Sequence, residues 1–170
     1  MDADEVDQLV AAWRHERPDL NVKPLQVLSR VTRLAKHLDI ARREAFATHD
    51  LETGEFDVLA ALRRSGQPYA LTPSQLVSAT LVTSGTMTNR IDRLVTKGFV
   101  QRQPDPTDGR GVLVALTETG STKVDQALKD LLKREQELLK NISTEEFNEL
   151  VNALRKIVLP LDQHLKPEED

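Results

Sequence analysis

Residues 72–117 read TPSQLVSATLVTSGTMTNRIDRLVTKGFVQRQPDPTDGRGVLVALT, and this stretch decides the fold. Thr72-Pro73-Ser74-Gln75 is a helix start: the threonine caps, proline suits the first helical position, and Gln75 completes a capping box. A short helix from about Pro73 to Thr80 follows. A second start, Thr83-Ser84, arrives almost at once, and its helix runs to Lys97 and stops at Gly98. Phe99 to Gln103 and Val112 to Leu116 then read as strands, joined by the turn-rich Pro104 to Gly111 into a hairpin with a long tip. Helix, tight turn, helix and hairpin make a winged helix.

Working outward, Thr117 caps a helix that reaches about Lys140, with Val124, Leu128, Leu131, Leu132 and Leu138 on one face. Ser143-Thr144-Glu145-Glu146 opens a last helix with Phe147, Leu150, Leu154, Ile157, Leu161 and Leu165 in register. Upstream, Glu55 to Ser65 is helical, closed by Gly66 and Pro68. A long helix covers Leu25 to Thr48, and residues 5–16 form a short one with Val6, Leu9, Val10 and Trp13 on a stripe. The fold class is mainly α: a single domain, 1–170, with an extra N-terminal helix (1–20), long terminal helices (21–50 and 118–170) and a winged helix-turn-helix (55–117). The apolar stripes of the long helices exceed what a small central core covers, which predicts a two-fold homodimer.

Composition narrows the function. With 170 residues, 39% hydrophobic and 29% charged, the chain suits one folded domain. No apolar run approaches the roughly 18 residues that span a bilayer, and the acidic start lacks the basic-then-apolar order of a secretory signal, so a cytoplasmic location without a membrane partner is expected. The absence of cysteine excludes disulfide scaffolds, thiolate metal sites and thiol redox sensing. The four histidines (His15, His37, His49, His164) show no paired spacing, so no metal is expected. There is no Gly-rich phosphate loop, carboxylate cluster or Ser/His elbow, which leaves no ground for an enzyme or a cofactor.

The net charge of −4 conceals an uneven distribution. Residues 1–30 hold six acids against four bases, whereas residues 83–110 hold five bases against three acids. In the second helix of the pair, Met87, Ile91, Leu94 and Val95 form an inward face. Ser84, Thr86, Thr88, Asn89, Arg90, Arg93 and Lys97 are left on the remaining surface. Short hydroxyls and an amide near the N-terminus, with cations further along, suit a helix in a major groove: the former meet base edges, the latter neutralise phosphates. Arg110, on the glycine-flanked hairpin tip, suits a narrow minor groove. The alternatives are a solvated helix face, a turn arginine paired with Asp108, and an interaction module with a repurposed winged helix.

The run Gly54-Glu55-Phe56-Asp57-Val58-Leu59, then Ser84-Gly85-Thr86-Met87-Thr88-Asn89-Arg90-Ile91-Asp92-Arg93-Leu94, then Asp108-Gly109-Arg110 and Leu116-Thr117-Glu118-Thr119-Gly120 resembles the MarR family, in order and over nearly the whole chain. The resemblance implies a dimeric winged-helix transcription regulator, commonly a repressor released from a near-palindromic double-stranded DNA operator by a small ligand. It makes Ser84 to Lys97 the recognition helix and Arg110 the wing-tip residue. The extra helix with its lone tryptophan resembles the urate-responsive subgroup, which implies a ligand site of Trp13, Asp57, Arg90 and Arg102. The chemistry fits that implication. A flat anion can stack on Trp13 and pair with a planar guanidinium such as Arg90. Its entry would repel Asp57, and Arg102 at the wing root would pass the shift to the recognition helix. Neighbouring subgroups respond to other small anions such as citrate, which the arginines serve equally well. Each residue also has a plainer role: Trp13 as the anchor of the first helix, Arg90 as a phosphate contact, Arg102 as a strand-surface charge.

Overall fold

A computed structural model describes residues 3–106, 108 and 111–164. The chain divides into two compact units, the first ending at Leu132 and the second beginning at Lys133. In the first unit the order is α1 (Glu5–Glu16), α2 (Lys23–Ala47), α3 (Thr53–Arg64), β1 (Ala70–Leu71), α4 (Pro73–Thr80), α5 (Ser84–Thr96), β2 (Val100–Pro104), β3 (Val112–Leu116) and most of α6 (Glu118–Leu139). The second unit contains the end of α6 and α7 (Thr144–His164), whose Phe147, Leu150, Leu154, Ile157 and Leu161 are exposed on this single chain. Expected and observed helices agree within a few residues at their ends.

Local chemistry explains where the elements begin and stop. The boxes at Thr72/Gln75 and Ser143/Glu146 both form, and the Thr83 hydroxyl accepts from the Thr86 N–H. α5 ends because Gly98 takes φ 71°, while Phe99 N–H bonds back to the Leu94 carbonyl 3.0 Å away. The chain thereby turns directly into β2. Gly120 answers a different need. A Cβ there would lie 1.9 Å from the Phe99 carbonyl oxygen, so only glycine lets α6 start against the wing.

The strand Ala70–Leu71 was absent from the sequence reading. It pairs antiparallel with β3, Ala70 opposite Ala115 and Leu71 opposite Val114, giving a three-stranded sheet ordered β1-β3-β2. Two residues are too few to show alternation, so nothing in the sequence marks them. The core gathers Phe46, stacked on Phe56 at 4.0 Å, with Leu59, Leu62, Leu76, Met87, Ile91, Leu94, Val114 and Val124. Val95, expected on the inward face of α5, is more than a third exposed instead.

α1 docks on α2 through a small separate core of Val6, Val10 and Val22, with Leu25 against it. Arg30 reaches Asp4 and Asp7, both at 2.8 Å, and Arg33 pairs with Glu5. Only two members of the expected stripe are covered. Leu9 and Trp13 are exposed, Trp13 by 47%, so on this chain the valines and not the tryptophan anchor the helix. No helix among the described residues is long and apolar enough to cross a membrane.

Candidate nucleic-acid interface and ligand site

The N-terminal half of α5 presents Ser84, Gly85, Thr86, Thr88 and Asn89 outward, because Met87, Ile91 and Leu94 occupy the opposite face in the core. Thr88 spends its hydroxyl proton on the Ser84 carbonyl at 3.1 Å, and Thr86 shares a hydrogen bond with Thr83 at 3.0 Å. Both hydroxyl oxygens keep acceptor capacity. Asn89 is exposed, and its side chain makes no hydrogen bond among the described residues. The helix start is thus a row of short polar groups on a rigid, capped helix.

The C-terminal half of α5 is occupied differently. Lys97 Nζ donates to the Asp50 carbonyl at 2.7 Å and to Glu55 Oε2 at 2.9 Å, and its side chain is only 25% exposed. Glu55 is 0% exposed and is the one charged residue in the core of the described chain. Its Oε2 also accepts the Glu52 N–H at 2.9 Å as part of the α3 capping box. Arg93 Nη1 donates to Glu52 Oε1 at 2.9 Å, and Arg93 Nε lies 3.5 Å from Glu55 Oε1, near enough for charge attraction and outside hydrogen-bonding geometry. Two cations expected to face phosphates therefore brace α5 against the start of α3. No spacing in the sequence points to Glu52 and Glu55 as bracing residues, because their partners lie about 40 residues away.

The four residues implied as a ligand site occupy four elements of the first unit: Trp13 on α1, Asp57 on α3, Arg90 on α5 and Arg102 on β2. Among the described residues no ion pair joins any two of them. Asp57 accepts from Arg42 Nη2 of α2 at 2.8 Å, and Arg42 also lies over the Phe46 ring, 5.4 Å from its centroid. Arg102 Nη2 donates to Asp92 Oδ1 of α5 at 2.5 Å, which ties the wing strand to the recognition helix. Arg90 is turned toward α3 and rests on Gly54, one helical turn before Asp57. Its Nη1 is buried without a hydrogen-bond partner. Such a group costs about 1–3 kcal/mol when left unmet. Arg110, the expected wing-tip contact, lies outside the described residues.

Beneath the Arg42–Asp57 pair, a cavity of about 280 Å³ opens between α2, α3 and α6. Arg42, Arg63 and Arg64 stand at its walls with Phe56, Val124, Leu128 and Leu131 as apolar lining. Arg63 is held by Asp125, both of whose carboxylate oxygens accept from it at 3.0 and 3.1 Å, and this pairing raises the guanidinium's already high pKa. No group of three or more potential metal ligands occurs among the described residues.

A profile of the MarR family matches residues 49–111, from the turn before α3 to the wing tip. The HTH-type transcriptional regulator PecS of Dickeya dadantii is 37% identical over 153 residues, covering 90% of this chain and 92% of PecS. The chain belongs to the MarR family. The solved structure of a mutant Escherichia coli MarR complexed with operator DNA superposes with a TM-score of 0.67 at 33% identity, covering 80% of this chain and 94% of that one. Bordetella bronchiseptica BpsR, whose DNA binding is regulated by 6-hydroxynicotinic acid, matches with a TM-score of 0.68 at 26% identity over 82% of this chain and 97% of its own. As a MarR-family member the protein is a winged-helix transcription regulator and not an enzyme. In that frame α4 and α5 are the helix–turn–helix, β2 and β3 the wing, and Glu55 is the buried residue that braces α5.

Proposed function

We propose that the protein is a homodimeric repressor that binds a near-palindromic operator and is released from it by a small planar anion, urate or a related purine. Ser84, Thr86, Thr88 and Asn89 read base edges, Arg110 enters the flanking minor groove, and Arg93 and Lys97 hold the helix at the angle the groove requires. The exposed apolar faces of α2 (Val27, Leu28, Val31, Leu34) and of α7 supply the dimer contact. The domain then runs 1–170, with 55–117 contacting DNA and the terminal helices pairing the copies in the cytoplasm.

The observation that carries the ligand assignment is the buried, unpartnered Nη1 of Arg90, a cationic donor turned away from the DNA-facing surface. Trp13 adds a half-exposed indole for stacking, and Asp57 a carboxylate whose partner, Arg42, an anion would compete for. Similarity to PecS extends over 90% of this chain. A second reading, a small aromatic carboxylate, rests on the arginine-walled, apolar-lined cavity of α2, α3 and α6 and on the likeness to BpsR.

Trp13 is the only tryptophan, so its emission tests the assignment. Urate, xanthine, citrate and salicylate are titrated against the protein, with free tryptophan correcting for absorption by urate. Saturable quenching by urate or xanthine alone is the expected result. Quenching by the carboxylates alone favours the second reading, and no response from any of the four sinks the assignment of a planar anion at Trp13.

A further inference from the structure

Gly54 is the second residue of α3, a position where glycine is less favourable than alanine because it adds backbone entropy to the unfolded chain. Its backbone offers no reason for glycine. Gly66 and Gly98 have φ of 78° and 71°, a region L side chains avoid, whereas Gly54 stays outside that region. What the missing side chain gives is room. A Cβ at Gly54 would lie 2.4 Å from Arg90 Cζ, 2.5 Å from its Nε and 2.7 Å from its Nη2. The guanidinium occupies the place of that absent carbon.

Arg90 belongs to the recognition helix, between Asn89 and Arg93, where an arginine has two directions open to it. Extended outward, it meets a phosphate. Folded back, it lies on the first turn of α3 with Nη1 buried and unpartnered, which is the direction it takes. The like-signed field of a helix N-terminus would oppose this second direction, so the carboxylates of that turn matter. Glu52 and Glu55 stand there, bonded by Arg93 and Lys97, with buried Glu55 Oε1 left without a hydrogen bond. The room left by the missing side chain at Gly54 is what admits Arg90 to this turn.

We propose that Gly54 is a positioning residue of the ligand site: its bare Cα is the seat that turns Arg90 from the DNA face inward and presents Nη1 to an anion. This rests on the ligand role of Arg90 proposed above. The clash made by a side chain at Gly54 falls on the far end of a flexible arginine and not on backbone, so Gly54→Ala keeps the fold and expels only the guanidinium.

The test has two arms, run on the full chain in wild-type, Gly54→Ala, Arg90→Ala and double-mutant forms. The first needs no ligand: solvent exchange of the Arg90 guanidinium protons by nitrogen-15 NMR, the signals identified by their loss in Arg90→Ala. Wild-type protons are expected to be protected, and those of Gly54→Ala to exchange like exposed arginines. The second measures the urate concentration that half-releases an operator duplex selected from a random-sequence pool. Gly54→Ala is expected to need at least about ten-fold more urate, equivalent to about 1.4 kcal/mol. In the Arg90→Ala background the same change should add nothing.

Unaltered proton protection in Gly54→Ala overturns the seat. A shift in half-release that is as large without Arg90 as with it overturns the positioning role and leaves a local helix effect. If the wild-type complex ignores urate while Gly54→Ala still loses protection, the seat stands and the ligand assignment fails.

Discussion

Two of the ionic clusters that join helices among the described residues differ in depth. Between α1 and α2, Asp4, Glu5 and Asp7 meet Arg30 and Arg33, every side chain at least 40% exposed. Between α3 and α5, Glu52 and Glu55 meet Arg93 and Lys97, with Glu55 fully buried. The pairs use the same chemistry at similar distances. Exposed pairs are screened and pay side-chain entropy, so the first cluster adds little to the valine contacts beneath it. A buried carboxylate with one partner removed has no water to fall back on, so the second cluster is difficult to break. The lesson is a division of labour: the helix that carries Trp13 is held loosely, and α5, the helix proposed to read DNA, is held firmly.

The sharpest way to break this comparison is Lys97→Met, which strands the Glu55 carboxylate in the core. Stability to urea should fall by about 3 kcal/mol. A loss below about 1 kcal/mol would mean that Arg93, 3.5 Å away, or water takes over the charge, and the brace would no longer separate the two clusters. Arg30→Ala should do far less. It leaves the main unfolding transition in place and loosens α1, read as a fall in Trp13 fluorescence anisotropy. If the main transition moves as far as in Lys97→Met, the clusters are equivalent.

The smallest effect is that of pH. Hydrogen bonding to Arg30, aided by the Asp7 and Val6 N–H groups, holds the Asp4 carboxyl below its ordinary value near 3.8. A depressed acid favours docking fully above that ordinary value, and the contribution is lost as pH falls below it. Trp13 anisotropy should therefore decline on acidification below about pH 4, and 1 M salt at neutral pH should reproduce part of the decline. Anisotropy that is flat until the whole chain loses helical signal would remove the clasp from the account.

The winged helix was legible because its signals are local. Caps at Thr72 and Thr83, the stop at Gly98, and turn residues between two β-rich runs each act within a few positions. The apolar face of α5 was legible for the same reason, apart from Val95, where the stripe widens past the core. What escaped depends on distance along the chain. Lys97 and Glu55 lie 42 residues apart, and no spacing rule connects them, so the bracing contacts of Lys97 and Arg93 cannot be read from the sequence. Gly54 and Arg90 likewise meet only in three dimensions. Trp13 obeyed helical spacing and still stayed exposed, since periodicity gives a residue's face and not whether a neighbour covers it.

The central claim is that α5 is a braced DNA reader whose grip is governed by an anion at Arg90. The most direct test is fluorescence anisotropy of a labelled operator, selected from a random-sequence pool, titrated with protein across a salt series with and without urate. The account predicts tight binding at low salt, a linear fall of log affinity with log salt, and at least about a ten-fold loss of affinity on adding saturating urate. Failure to bind any selected duplex at low salt, with helical content intact, would contradict it.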